Sequence, residues 1–308
     1  MTFEALVSRS TPTPVMGGDV REFSWTWKQK SVCVAYEVLG QGTPILLLPA
    51  LSSVSTRAEM RGVAELLAQN HQVVTPDWVG FGHSARPGFN YQPAIYQAFL
   101  RDFVRSIFRE PVVVIAAGHA AGYVMELTQR QPSAWSWVVL VAPTWRGPLP
   151  TAFGEHRWAY NLLKWVVRSP LLGQFLFFLN TLPPFLRLMY RRHVFGKAQH
   201  VTGNLIRQKW RTTQRWGARY ASVAFVTGAL DPVRKRAGFV DYFQPMPPVP
   251  VLMVIGEQTP PKSRTEMEVL AHFTTVQVCR LPGSLGLHEE YPAELVEGIL
   301  PFLNKYLS

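Results

Sequence analysis

The stretch Val112-Val113-Val114-Ile115-Ala116-Ala117-Gly118-His119-Ala120-Ala121-Gly122 limits what this chain can fold into more than any other. A short apolar, β-branched run that ends at glycine reads as a buried strand. It leads through Gly-x-x-x-Gly into a helix-compatible segment, Tyr123 to Arg130. This is the layout of a nucleophile elbow, a tight strand-to-helix turn whose flanking glycines make room for a strained central residue. By this spacing the central residue is Ala120, where the chemistry would call for Ser, Asp or Cys. A methyl group cannot attack a carbonyl.

The neighbouring segments supply a sheet around that strand. Residues 22–39 alternate (Phe23, Trp25, Trp27, then Val32, Val34, Tyr36, Val38), which predicts two antiparallel strands turning near Lys28–Lys30. Pro44–Pro49 is a compact buried strand, followed by a Ser-rich turn, a helix over Arg57–Gln69 and a strand over His71–Thr75. A helix is expected over Gln97–Phe108 and a strand over Trp135–Ala142. Strands return at 250–256 and 275–281, and a helix over Glu294–Tyr306 closes the chain. Strand and helix alternating after an antiparallel start predict an α/β fold with a mostly parallel sheet covered on both faces.

Between Arg146 and Val240 the pattern changes to aromatic, Leu-rich helical stretches punctuated by proline. The expected division is a loose tail over 1–20, a core from 21–145 and 241–308, and a helical cap over 146–240. The cap carries sixteen Lys/Arg against two acids, Glu155 and Asp231, while the rest of the chain is slightly acidic and the total is +11. Such a block fits an anionic membrane surface or an acidic partner. No nucleic-acid-binding motif accompanies it, so nucleic acid is not expected. Only Cys33 and Cys279 occur, far apart and outside any His/Cys cluster, so neither a disulfide framework nor a metal is expected. No signal-peptide pattern opens the chain, and no apolar run reaches the roughly 18 residues of a membrane span. The simplest expected location is cytoplasmic, with a peripheral position at a membrane surface as the alternative.

Taken in order, these segments resemble the α/β-hydrolase fold family over residues 22–306. Asp77-Trp78-Val79-Gly80-Phe81-Gly82-His83-Ser84 is similar to the D-x-x-G-x-G-x-S loop of lipases, dehalogenases and dephytylases. The details of the Pro-Ala-Leu-Ser-Ser turn and the Leu-Gly-Leu-His-Glu-Glu ending resemble cyanobacterial and plastid members. The resemblance implies roles for particular residues and no cofactor. His288, in the loop after the last strand, would be the triad base. The acid would be Asp231 or Glu257, since Thr259 stands where the usual Asp falls. The N–H groups of Leu51 and Ala121 would form the oxyanion hole. His119, Trp145, Trp158, Phe175 and Phe178 would line a pocket for a bulky apolar ester or lipid.

Three explanations of Ala120 follow: a serine hydrolase disabled by Ser→Ala replacement, a natural pseudo-hydrolase that binds a hydrophobic ligand or a membrane or protein partner, or a chemistry needing only His288 and the oxyanion hole. In each, ester hydrolysis through residue 120 is not expected of the chain as it stands.

Overall fold

The computed structural model describes residues 13–154, 156–244 and 246–307. The hairpin of β1 (Asp19–Trp27) and β2 (Lys30–Leu39) closes through Lys28 and Gln29, both at positive φ (45° and 65°). Positive φ at both central residues is what a two-residue hairpin with right-handed strand twist requires. β2 then pairs antiparallel with β4 (Gln72–Pro76). The remaining strands, β3 (Pro44–Leu48), β5 (Val112–Ala117), β6 (Trp135–Val141), β7 (Val251–Gly256) and β8 (Val276–Leu281), run parallel. The sheet order is β1-β2-β4-β3-β5-β6-β7-β8.

β5 and β7 are buried at every residue, because helices cover both faces of the sheet centre. Those helices include α1 (Arg61–Leu67), α2 (Pro93–Ile107) and α3 (Ala120–Arg130). The helix expected over 57–69 is split: Thr56 caps a 3₁₀ turn, Arg57–Met60, before α1 begins. The α2 helix starts at Pro93, earlier than the expected Gln97, because proline is favoured in a first turn.

Residues 13–18, expected to be part of a loose tail, are fastened. The N–H groups of Val15, Met16 and Gly18 all donate to the buried Glu37 carboxylate, at 2.9–3.0 Å. Residues 1–12 lie outside the described residues.

The described chain between β6 and β7 is helical: α4 (Pro148–Phe153), α5 (Arg157–Arg168), α6 (Leu172–Asn180), α7 (Pro183–Met189), α8 (Gly203–Thr213), α9 (Ala218–Val226) and α10 (Arg236–Val240). Two small apolar clusters hold it. In one, Val167 and Phe177 of α5 and α6 meet Ala218 and Val223 of α9. In the other, Leu186, Tyr190 and Ile206 pack with Val54, from the loop after β3. After β7 come α11 (Pro261–Ala271), then β8, α12 (Leu287–Glu290) and α13 (Pro292–Leu307). The loops leaving the C-terminal ends of the parallel strands therefore share one edge of the sheet, where α/β folds place their sites.

Candidate functional site

The turn between β5 and α3 decides what chemistry this edge can support. Gly118 stands at φ +52°, and its carbonyl accepts from Ala121 N (3.2 Å) and Thr144 N (3.1 Å) while its own N–H donates to Val141 O (2.8 Å). A Cβ at this position would meet the Ala50 side chain at 3.1 Å. Spacing puts Ala120 at the strained position. It is instead the first residue of α3, fully buried, and is not among the described non-glycine residues at positive φ. The strain of the turn thus falls on Gly118, and residues 118–122 offer no nucleophilic side chain.

One expected oxyanion donor is also committed, since the Ala121 N–H closes the turn onto Gly118 O. Leu51 lies buried in the loop after β3.

His119 is where the elbow meets the insertion. Its buried Nε2 lies 3.1 Å from Leu230 O and 3.5 Å from Asp231 Oδ1, and its ring stands edge-on to Phe225. Burial lowers its pKa to about 4, so the ring is neutral at pH 7; with the proton on Nε2, the buried Nδ1 is left bare. Asp231 also accepts from Gly147 N at 2.8 Å. The structure therefore brings two expected site residues together, His119 and Asp231, but not in the expected pairing.

His288 is held against the turn that follows β3. It sits buried on α12, with Nε2 turned toward Glu59 Oε2 at 3.6 Å, and neither ring nitrogen makes a hydrogen bond among the described residues. Glu59 belongs to the 3₁₀ turn, where Thr56 N–H donates to its Oε1 (3.3 Å) in a capping box. Lys209 of α8 reaches into the same place, 2.8 Å from Glu289 Oε1 and 3.4 Å from Glu59 Oε1, over the Tyr190 ring. Burial acts to lower the Lys209 pKa, but Glu289 and Glu59 hold it well above the ordinary value. Burial raises that of Glu289, against the pull of Lys209. His288 is thus part of a buried cluster with Glu59, Lys209 and Glu289 that joins α8, α12 and the turn after β3.

The other candidates separate too. Glu257 is exposed on the loop after β7. Trp145 is buried, donating Nε1–H to Glu266 (3.1 Å) under the Arg146 guanidinium. It lines an open cleft of about 530 Å³ with Thr144, Phe153, Arg236 and Lys262. Trp158, Phe175 and Phe178 point to solvent and do not line a pocket with Trp145. The inward stripes of their helices are already filled by Val167 and Phe177.

The Asp77 loop is a structural hub. Arg57 is fully buried between Glu37 (2.9 Å) and Asp77. Asp77 also accepts from the N–H groups of Arg57 (2.6 Å) and His83 (2.7 Å). Gly82, at φ +50°, has no room for a Cβ against the Asp77 carboxylate, and Ser84 Oγ ties Ala35 N to Asp77 O.

The sequence reading did not single out Glu59, Lys209 or Glu289. Thr56-x-x-Glu59 is a legible capping signature. Nothing local marks Lys209, whose partners lie in distant segments.

The model of the Alpha/beta hydrolase family matches residues 45–297. Uncharacterised proteins of Mycobacterium bovis and Mycobacterium tuberculosis are 30% identical over 108 residues, 35% of this chain and 31% of theirs. The match thus spans about a third of the length of those relatives. Among solved structures, an esterase from Thermogutta terrifontis superposes with a TM-score of 0.71 at 16% identity, over 94% of this chain and all of that one. A bromoperoxidase from Bacillus anthracis does so at 0.69 and 17%, over 92% of this chain and all of that one. At such identities these likenesses speak to fold alone. The family match covers most of the chain and coincides with the sheet and elbow described above: the chain belongs to the alpha/beta hydrolase family.

Proposed function

We propose that this chain is a binding member of its family, a hydrolase fold that does not catalyse covalent ester hydrolysis and whose partner is apolar. The observation that carries this is the elbow. Its left-handed position is glycine, and the residues that follow, His119-Ala120-Ala121-Gly122, contain no nucleophile. The base position supports the same reading, because His288 faces Glu59 inside a buried cluster. An absent nucleophile beside a histidine held against Glu59 is what a fold kept for binding tolerates. The rival reading is a serine esterase for a bulky apolar ester, one serine short of activity. It loses its proposed lining, since Trp158, Phe175 and Phe178 face solvent. Those same side chains support an apolar partner met at the surface.

The test is covalent labelling by a fluorophosphonate probe together with p-nitrophenyl ester turnover over several chain lengths. It is run on the natural chain, Ala120→Ser and Gly118→Ser, each checked for cooperative unfolding. None is expected to label or turn over. Turnover restored by Gly118→Ser or Ala120→Ser and abolished by a further His288→Ala would overturn the proposal and reinstate the esterase.

A further inference from the structure

Besides the inner stripe that packs on α9, α5 carries a second apolar stripe. Trp158, Leu162 and Trp165 recur at i, i+4 and i+7, one stripe of a helix, and this stripe is the outer one: the two tryptophans are 76% and 73% exposed. Two charged residues of the same helix, Lys164 and Arg168, bond back to the loop before α2. Lys164 donates to Tyr91 O (3.3 Å), and Arg168 donates to Phe89 O (2.6 Å) and Gly88 O (3.1 Å). The next helix continues the surface with Leu171, Leu172, Phe175 and Phe178, all exposed. Isolated exposed apolar residues need no explanation, but a contiguous group of this size does.

We infer that α5 and α6 dock this protein on an anionic lipid bilayer, lying in its interface and not crossing it. This rests on the binding reading above and names the partner's chemistry. Among the described residues no single helix is long and apolar enough to cross a membrane, and α5 and α6 are bent by 106° at their junction. With twelve residues α5 is only about 18 Å long, against a hydrocarbon core of about 30 Å. Its inner side is held by α9 and by the Lys164 and Arg168 hydrogen bonds, so only the outer stripe is free to enter lipid. Trp and Phe on such a stripe suit the headgroup boundary.

Charge identifies the lipid. Directly after α6, α7 exposes Phe185 and Leu188, and Arg187, Arg191 and Arg192 are exposed on the same helical run, which continues to Val194. The segment 146–240 holds sixteen basic residues and two acids, of which Asp231 is buried. Apolar side chains beside exposed arginines complement acyl chains beneath anionic headgroups. A second copy of this chain would bring a like-charged segment against the first, which disfavours self-association through this face.

The experiment is co-sedimentation of the full chain with phosphatidylcholine vesicles, with and without about 30% phosphatidylglycerol. Binding should be at least about tenfold stronger to the anionic vesicles and should fall in high salt. Trp158→Ser/Trp165→Ser/Phe175→Ser should abolish it with unfolding unchanged, since all three side chains are exposed. Arg191→Glu/Arg192→Glu should remove the preference for phosphatidylglycerol. The inference is overturned if the natural chain stays in the supernatant, or if the triple variant sediments equally well. It is also overturned if the chain elutes as a dimer that the triple variant converts to monomer without any vesicle binding. Ester turnover is read separately, so an Ala120→Ser variant that hydrolyses esters while the natural chain binds vesicles would remove the non-catalytic reading and leave the docking surface standing.

Discussion

Lys209 Nζ lies 2.8 Å from Glu289 Oε1, joining α8 of the helical insertion to α12 behind the last strand, with Glu59 Oε1 a further contact at 3.4 Å. One buried ammonium thus faces two carboxylates. Removing it by Lys209→Met leaves both without a cation in a low-dielectric site, and truncating one partner of a buried pair costs about 3–5 kcal/mol. Urea unfolding should show that loss. The pH sign is also fixed. The folded pKa of Lys209 is raised, so its contribution is complete below the unfolded value of about 10.4 and is lost as pH rises beyond it. Alkaline destabilisation should therefore be reduced in Lys209→Met.

His119 should govern stability on the mildly acidic side. Its folded pKa is lowered to about 4 by burial, against about 6.5 in the unfolded chain. A group depressed in the fold contributes fully above its unfolded pKa, and that contribution fades as pH falls from 6.5 toward 4. The shift corresponds to about 3 kcal/mol across that window. Unfolding free energies measured from pH 7 to pH 4 should show this slope, and His119→Asn should flatten it.

A second acid transition belongs lower, with Glu37 and Asp77. Burial raises both pKa values, but backbone donors and Arg57 on Glu37, and His83 and Arg57 on Asp77, outweigh it and leave both below the ordinary range. Their contribution is complete above the unfolded values of about 4 and is lost as pH falls through the lowered ones. Arg57→Ala strands both carboxylates and should cost about 3–5 kcal/mol by chemical denaturation. Gly82→Ala should also destabilise, because φ is +50° there and a Cβ has no space against Asp77.

Strand order and helical insertion were legible because each rests on local pattern. Val112–Ala117 is a continuous apolar run, and the insertion loses strand character while gaining leucine, tryptophan and arginine. The site was less legible, because its pairings are made between distant segments. Asp231 meets His119 across 112 positions of chain, and His288 meets Glu59 across 229, so no spacing rule reports either. The outward turn of Trp158 and Phe175 escaped for a related reason. Periodicity shows that a helix has an apolar face, but which face the fold covers depends on what α9 already fills. Spacing and structure differ by two residues at the elbow because a glycine two positions before Ala120 reads equally well as a flank or as the strained residue itself.

If Gly118 carries the left-handed turn at φ +52°, Gly118→Ala must place a Cβ in a conformation that costs about 1–2 kcal/mol, and 3.1 Å from the Ala50 methyl as well. Ala120, as a helical residue, should respond to Ala120→Gly with a loss of about 0.5–1 kcal/mol from added backbone entropy. The opposite assignment reverses the second result. A left-handed Ala120 would be relieved by glycine, and the variant would unfold at higher denaturant than the natural chain. Both midpoints should fall, Gly118→Ala by more than Ala120→Gly, and a rise for Ala120→Gly would return the elbow to residue 120.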